Sequence, residues 1–344
     1  MFRLRHRKIS SAAALLAAGA LVLTACGDDS NGNGGTTAAD NGSTEVGSES
    51  TDFITIATGG SSGVYYQVGA TLADVLRDEL DSDANVQATG ASAENINLLS
   101  DGRAELAFTM GDANAQALEG IGPFENDARD NLMAIAALYP NTVQIVATTA
   151  SGVQSVSDLA GKRVAVGDVG SGVEMNAKTV LNAYDLTYDD LNADFLSYAE
   201  AADGMSNGHI DAAFVTSGVP NPSLTELGTN TDFIIVPIDG DGRDTLISDN
   251  DYFTEDAIPG GTYQQDEDVE TVGVVNHLMI SSELSEDAGY DITKAFFENL
   301  DRIHNSHAAA KEITLEDAAT GLTVPLHPGA KKYLEEQNVE VPSS

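Results

Sequence analysis

Ile54-Thr-Ile-Ala-Thr-Gly-Gly-Ser-Ser-Gly-Val-Tyr-Tyr-Gln-Val-Gly-Ala-Thr-Leu-Ala-Asp-Val-Leu76 reads as a short apolar strand, a glycine-rich turn and an amphipathic helix. Phe53 to Ala57 has the apolar run of a buried strand. Val64, Val68, Leu72, Val75 and Leu76 recur at helical spacing, which predicts a helix beginning near Ser61 or Ser62. Gly59, Gly60 and Gly63 let the backbone turn tightly and come close to a guest. A helix opening there offers unpaired N–H groups, two serine hydroxyls and the positive end of a macrodipole, a combination that suits a carboxylate or another small anion.

The pattern occurs twice. Arg163-Val-Ala-Val-Gly-Asp-Val-Gly-Ser-Gly-Val-Glu-Met-Asn-Ala-Lys-Thr-Val-Leu181 is again strand, Gly-Ser-Gly turn and helix. Neither loop is a P-loop, because neither continues into Gly-Lys-Ser/Thr. The second spaces Gly167, Gly170 and Gly172 as Gly-x-x-Gly-x-Gly, a weak match to the dinucleotide fingerprint Gly-x-Gly-x-x-Gly.

Around these two loops the chain alternates β and α. Asn85 to Thr89 reads as a second strand, Ser92 to Leu99 as a short helix with a serine cap, and Ala104 to Met110 as a third strand ending in a polar loop, Gly111 to Asn114. Such alternation implies a mostly parallel sheet covered on both faces, with ligand sites at the carboxyl ends of its strands. Leu132 to Thr149 is two apolar runs broken at Tyr139-Pro140, the second crossing into another lobe. There the alternation restarts: a helical turn at Ser157 to Gly161, strand Arg163 to Gly167, strand Phe195 to Tyr198, helix Ala199 to Asn207, strand Ile210 to Gly218 and strand Phe233 to Ile238. Thr271 to Ser281 returns the chain to the first lobe, and helices near Asp287–His304 and His307–Asp317 finish it. Two crossings make two lobes with a cleft between them: 53–146 and 270–344 form lobe 1, and 147–269 forms lobe 2.

Over 344 residues, 42% hydrophobic content is enough for two cores, and 16 basic against 54 acidic residues exclude nucleic-acid binding by the fold as a whole. The acid is spread along the chain, as on a solvated surface adapted to salt. Residues 1–25 have the form of a signal peptide: Arg3, Arg5, Arg7 and Lys8 precede an apolar core, Ala12 to Leu23, too short to span a bilayer comfortably. Leu23-Thr24-Ala25-Cys26 resembles a bacterial lipobox, which implies cleavage before Cys26 and lipidation of that thiol, the protein's only cysteine. Without the leader, twelve basic residues face the same 54 acids. Residues 26–52 continue as a glycine-, serine- and asparagine-rich tether, long enough at about 26 residues to span roughly 25–30 Å. Acyl chains on Cys26 would hold the protein at a membrane, each buried methylene contributing about 0.8 kcal/mol.

Thr58 to Tyr66, Leu138-Tyr-Pro140, Gly161 to Gly167 with Gly170-Ser-Gly172, Gly208 to Phe214 and Leu326 to Ala330 together resemble the TAXI family, the solute-binding subunits of TRAP (tripartite ATP-independent periplasmic) transporters. The resemblance covers Phe53 to Glu336. It implies an α/β, type II periplasmic-binding-protein-like fold, each lobe with a mixed, mostly parallel sheet flanked by helices. It further implies capture of a small organic anion, a glutamate-like amino acid or a dicarboxylate, and delivery to an ion-coupled TRAP-type membrane permease from the outer face of the cytoplasmic membrane. A ligand-sensing subunit of a membrane receptor on the same fold is the alternative. Asn141 and Met110-Gly111-Asp112 depart from the residues usual in the family, which leaves ligand choice open.

No arginine of the mature chain falls in the cleft loops, so anion capture rests on Gly60, Ser61 and Ser62 from one lobe and on Ser171, Gly172 and Val173 from the other. Tyr65, Tyr66 and Tyr139 are candidate walls or hydroxyl donors, and Asn176, Thr216 and Ser217 candidate polar contacts. Asp112 and Glu174 read equally as acceptors for an ammonium group or as helix caps. His209 and His327 belong to the family motifs, and His304 with His307 bring no carboxylate cluster that would hold a metal. No cofactor motif, nucleophile elbow, zinc-protease helix or reactive cysteine is present, so the expectation is a binding protein and not an enzyme.

Overall fold

The computed structural model describes residues 51–342. The expected leader, Cys26 and all but the last two residues of the expected tether lie outside them. In chain order, β1 (Phe53–Ala57), α1 (Val64–Leu80), β2 (Asp83–Gln87), α2 (Ser92–Ser100), β3 (Leu106–Met110) and α3 (Gly111–Glu119) precede a long strand, β4 (Leu132–Thr148). Then come β5 (Arg163–Ala165), α4 (Gly172–Ala183), β6 (Asn192–Asp194), α5 (Tyr198–Ser206), β7 (Ala212–Ser217), α6 (Pro222–Leu227), β8 (Phe233–Val236), α7 (Gly240–Asp249) and β9 (Phe253–Ile258). A second long strand, β10 (Val269–Ser281), leads to α8 (Glu286–Glu298), α9 (Leu300–Ser306) and α10 (Pro328–Glu336).

One strand order appears twice. In one lobe β2-β1-β3 are parallel, followed by antiparallel β10 and then β4; in the other β6-β5-β7 are parallel, followed by antiparallel β4 and then β8. The strands of both lobes belong to one ten-stranded sheet, because the two long strands change partners along their length. β4 pairs with β10 from Leu132 to Thr142 and with β7 from Thr142 to Ala147. β10 pairs with β9 from Val269 to Val274 and with β3 from Asn276 to Ile280.

α1 forms on the expected spacing and buries Val64, Val68, Leu72, Val75 and Leu76 against Ile54, Ile56 and Phe108, each contributing about 1.5–3 kcal/mol. It lies close to the sheet because residue 69 is glycine; a Cβ there would sit 2.6 Å from Thr58 Cγ2 and 3.3 Å from Phe108. Asn95 on α2 donates from Nδ2 to the carbonyls of Thr58 and Phe108, tying the ends of β1 and β3 together where the site lies.

Several expected elements differ. α1 starts at Val64 with Gly63 as N-cap, not at Ser61 or Ser62: the Gly63 N–H donates to Gly60 O at 2.8 Å, so the two serines occupy the middle of a turn. Tyr139-Pro140 does not break the chain into two runs; β4 is continuous. Pro140 lacks an N–H, and opposite it β10 carries a bulge between Val275 and His277 that leaves Asn276 to donate from its side chain to Tyr139 O at 2.8 Å. Gly111 to Asn114 is the first turn of α3, not a loop. Phe195 to Ser197 joins no strand, and Ser197 caps α5. The helix expected over Asp287–His304 is divided at Asn299, and that over His307–Asp317 shrinks to a 3-10 turn, Ala309–Glu312. Ser92 does not cap α2; its Oγ accepts the Met110 N–H at 3.2 Å.

Candidate functional site

Five helices of eight residues or more have their N-cap residue at one pocket between the lobes, and three of them, α1, α4 and α5, line it with first-turn residues as well. Gly63 and Val64 of α1, Ser171 and Val173 of α4, and Ser197 and Tyr198 of α5 all line it, around about 600 Å³ of empty space that includes its mouth. Two of the three ends are closed by their own side chains. Ser171 Oγ accepts the Glu174 N–H at 3.1 Å, and the Glu174 carboxylate accepts the Gly170 N–H at 2.7 Å. Ser197 and Glu200 form a full capping box on α5, the carboxylate accepting the N–H of the N-cap residue itself, Ser197, at 3.1 Å. The end of α1 has neither a capping side chain nor an acid in its first turn. Its first amides therefore have no side-chain acceptor, at the positive end of a 17-residue helix.

From Tyr65, in the first turn of α1, a relay of buried amides with a fixed direction leads away. Asn276 Nδ2 must donate, because its partner is the Tyr139 carbonyl; Asn276 Oδ1 therefore accepts the Tyr65 hydroxyl proton, and Tyr65 Oη accepts Asn141 Nδ2 at 3.2 Å. Asn141 Oδ1 is what remains, buried, without a partner, on a residue that lines the pocket. Burial raises the pKa of the Tyr65 hydroxyl, which keeps it a donor. Thr216 Oγ1, from the end of β7, is likewise buried, unpartnered and at the pocket. The relay joins α1 to both long strands, where these exchange partners.

Behind the pocket the lobes are shut on each other. Met110 of β3 packs into the core of the second lobe, and Met175 of α4 into that of the first. Gly172 lets α4 come this close; a Cβ there would collide with Met110 Cε and lie 2.9 Å from Ser92 Oγ. Asn176 Nδ2 of α4 donates to Asp112 Oδ2 of α3 at 2.7 Å, leaving Asp112 Oδ1 and Asn176 Oδ1 buried and unpartnered. Burial raises the Asp112 carboxyl to about 7. At the far side His307 Nε2 lies 3.0 Å from the Pro220 carbonyl, a second bond between the lobes.

Of the residues expected at the ligand, Gly60, Ser62, Tyr65, Ser171, Val173, Thr216 and Ser217 line the pocket. Ser61 is exposed beside it and Tyr66 is half-buried outside it. Gly172, Asp112 and Asn176 form the closed contact behind it, Glu174 caps α4, and Tyr139 is wholly buried, joined to the site through its carbonyl. His327 Nδ1 accepts the Gly329 N–H at the start of α10. Asn141, Asp168 and Tyr198 line the pocket and were not expected there. Their signals were legible: Asp168 is the one charged residue in Gly167 to Gly172, Asn141 follows Leu-Tyr-Pro, and Ser197 with Glu200 has capping-box spacing that places Tyr198 in a first turn. No arginine, lysine or histidine lines the pocket. Among the described residues no cluster of three histidine, cysteine or carboxylate side chains could hold a metal, and no helix is long and apolar enough to cross a membrane.

A family model described as the NMT1-like family matches residues 56–337, and the chain belongs to that family. Among solved structures, PhnD1 from Prochlorococcus marinus, in complex with methylphosphonate, is similar over 84% of this chain and 99% of its own, at 12% identity and a TM-score of 0.52. A structure described as a periplasmic transporter is similar over 83% of this chain and 92% of its own, at 11% identity and a TM-score of 0.53. The periplasmic aliphatic sulphonate binding protein SsuA from Escherichia coli covers 83% of this chain with 79% of its own, at 17% identity and a TM-score of 0.47. At such identities the first two likenesses establish the fold, that of a two-lobed periplasmic binding protein.

Proposed function

We propose that this member of the NMT1-like family is the solute-binding subunit of a TRAP-type transporter of the TAXI class. It is held by a lipid on Cys26 to the outer face of the cytoplasmic membrane, and it closes on a small organic acid, a glutamate-like amino acid or a dicarboxylate. It then presents that acid to an ion-coupled permease. The observation that carries the binding step is the open N-terminus of α1: of the helix ends at one interlobe pocket, it alone has neither a capping side chain nor an acid in its first turn. A carboxylate there would accept charge-assisted hydrogen bonds of about 1.5–3 kcal/mol each. Neutral donors hold such a ligand without fixing it permanently, as release to a partner requires.

The ligand stabilises the closed arrangement only by its preference for that arrangement over the open one. The acidic surface does not prevent capture of an anion in brine, where at about 1 M salt the screening length is about 3 Å. A thermal-shift screen of amino acids, dicarboxylates and oxo acids in high salt tests the binding step, since a ligand of the native state raises its melting temperature in a concentration-dependent way. Uptake of the hit by cells lacking the chain separates transport from sensing. Lost uptake supports the transporter, and unchanged uptake moves the assignment to a receptor subunit.

A further inference from the structure

Within the pocket, Asp168 is the only lining side chain that carries a formal charge. Among the described residues its carboxylate has no ion pair and no hydrogen bond; only its backbone carbonyl is engaged, by the Ser171 N–H at 2.9 Å. Partial burial and the nearby Glu200 carboxylate raise its pKa, so nothing cationic in the protein compensates it. Asn141 Oδ1 is the second uncommitted acceptor. The Tyr139 carbonyl, Asn276 and Tyr65 together dictate that its amide nitrogen faces Tyr65 and its oxygen remains free, more than nine-tenths buried.

We propose that Asp168 and Asn141 read a protonated amine on the ligand, so that the bound solute is a zwitterion whose carboxylate lies at the first turn of α1. This rests on the solute-binding reading above and chooses between its two ligand classes. A dicarboxylate or oxo acid would bring further acceptors into a cavity whose two unsatisfied acceptors, the Asp168 carboxylate and Asn141 Oδ1, already include an uncompensated negative charge. An alcohol or amide would satisfy Asn141 and leave the charge of Asp168 unanswered. An ammonium group supplies donors to both and neutralises the carboxylate. The amine role considered for Asp112 and Glu174 passes to Asp168, because Asp112 is taken up by Asn176 outside the pocket and Glu174 by the Gly170 amide.

The test is calorimetric titration of the full chain, purified in detergent, with pairs that differ only in the amine: L-glutamate and glutarate, L-aspartate and succinate, L-alanine and propionate, L-leucine and 4-methylpentanoate. In at least one pair the amino member should bind at least about tenfold more tightly than its partner, the range of hydrogen bonds to a charged group. Asp168→Asn should bring the two members within about threefold of each other by weakening the amino one. Asn141→Ser should narrow the gap by a smaller factor, about threefold to tenfold. Both variants are first checked for an unchanged circular dichroism spectrum. Equal binding of both members by the wild type overturns the inference, as does an Asp168→Asn variant that weakens both equally. If only a solute without an amine binds, the inference falls and the solute-binding reading stands. If no small molecule raises the melting temperature and none co-purifies, both fall.

Discussion

Asp112→Asn should stabilise this protein in alkaline solution and leave it nearly unchanged in acid. Asp112 is buried on α3, and loss of hydration raises its carboxyl from 3.8 to about 7, although the nearby Ala113 N–H and the hydrogen bond from Asn176 pull the other way. An acid whose pKa rises on folding contributes stability that is fully present below 3.8 and is lost as the pH climbs through about 7. A shift of about three units at about 1.4 kcal/mol per unit amounts to about 4 kcal/mol lost in alkaline solution. Asparagine carries no charge to desolvate. Its oxygen accepts Asn176 Nδ2 as Asp112 Oδ2 does now, at 2.7 Å, and its new amide donates to Asn176 Oδ1, which has no partner at present. Guanidinium unfolding of both proteins at about pH 4 and about pH 8.5 measures the effect as a difference between two curves in the same buffer. The variant should gain about 3–4 kcal/mol at the higher pH and less than about 1 kcal/mol at the lower. Equal gains at both pH values, or a loss at the higher one, would show that burial does not hold the Asp112 proton.

His277 should act with the opposite sign. Burial lowers it from 6.5 to about 4, so its contribution is present above 6.5 and lost as the pH falls through about 4, about 3 kcal/mol in all; His277→Gln should flatten that acid limb of the stability curve. Tyr65→Phe removes the hydroxyl between Asn276 Oδ1 and Asn141 Nδ2 and strands both amides. The expected loss is about 2–4 kcal/mol, read as a lower denaturation midpoint; no change would dispose of the relay. Gly172→Ala sets a methyl against Met110 and Ser92 and should push the lobes apart by disfavouring closure by about 1–3 kcal/mol. Small-angle scattering would then give a larger radius of gyration than the wild type, and an unchanged radius would mean that the contact does not hold the lobes shut.

The strand-loop-helix units were legible because each is a local matter. Apolar spacing and glycines suffice to place β1 with α1 and β5 with α4, and Ser-x-x-Glu spacing marks the caps of α4 and α5. The two-lobed α/β architecture followed from their alternation. The break expected at Pro140 was an inference from local chain chemistry. It failed because a bulge in a strand 135 residues later in the chain, at Val275 opposite Pro140, accommodates the missing N–H. Helices near Asp287–His304 and His307–Asp317 were placed by periodicity alone, and periodicity does not see where Asn299 ends one helix or that the next shortens to the 3-10 turn Ala309–Glu312.

By itself, then, the amino-acid order determined which segments turn, which bury and which helix ends are capped, since those depend on neighbours within a few residues. Only the tertiary structure decided that Asp112 and Asn176 meet across the cleft instead of facing a ligand, and that the free oxygen of Asn141 is oriented by Tyr65, Asn276 and the Tyr139 carbonyl. Each of those outcomes depends on groups up to 211 positions apart, brought together by the two long strands. No pattern along the chain encodes such a distance.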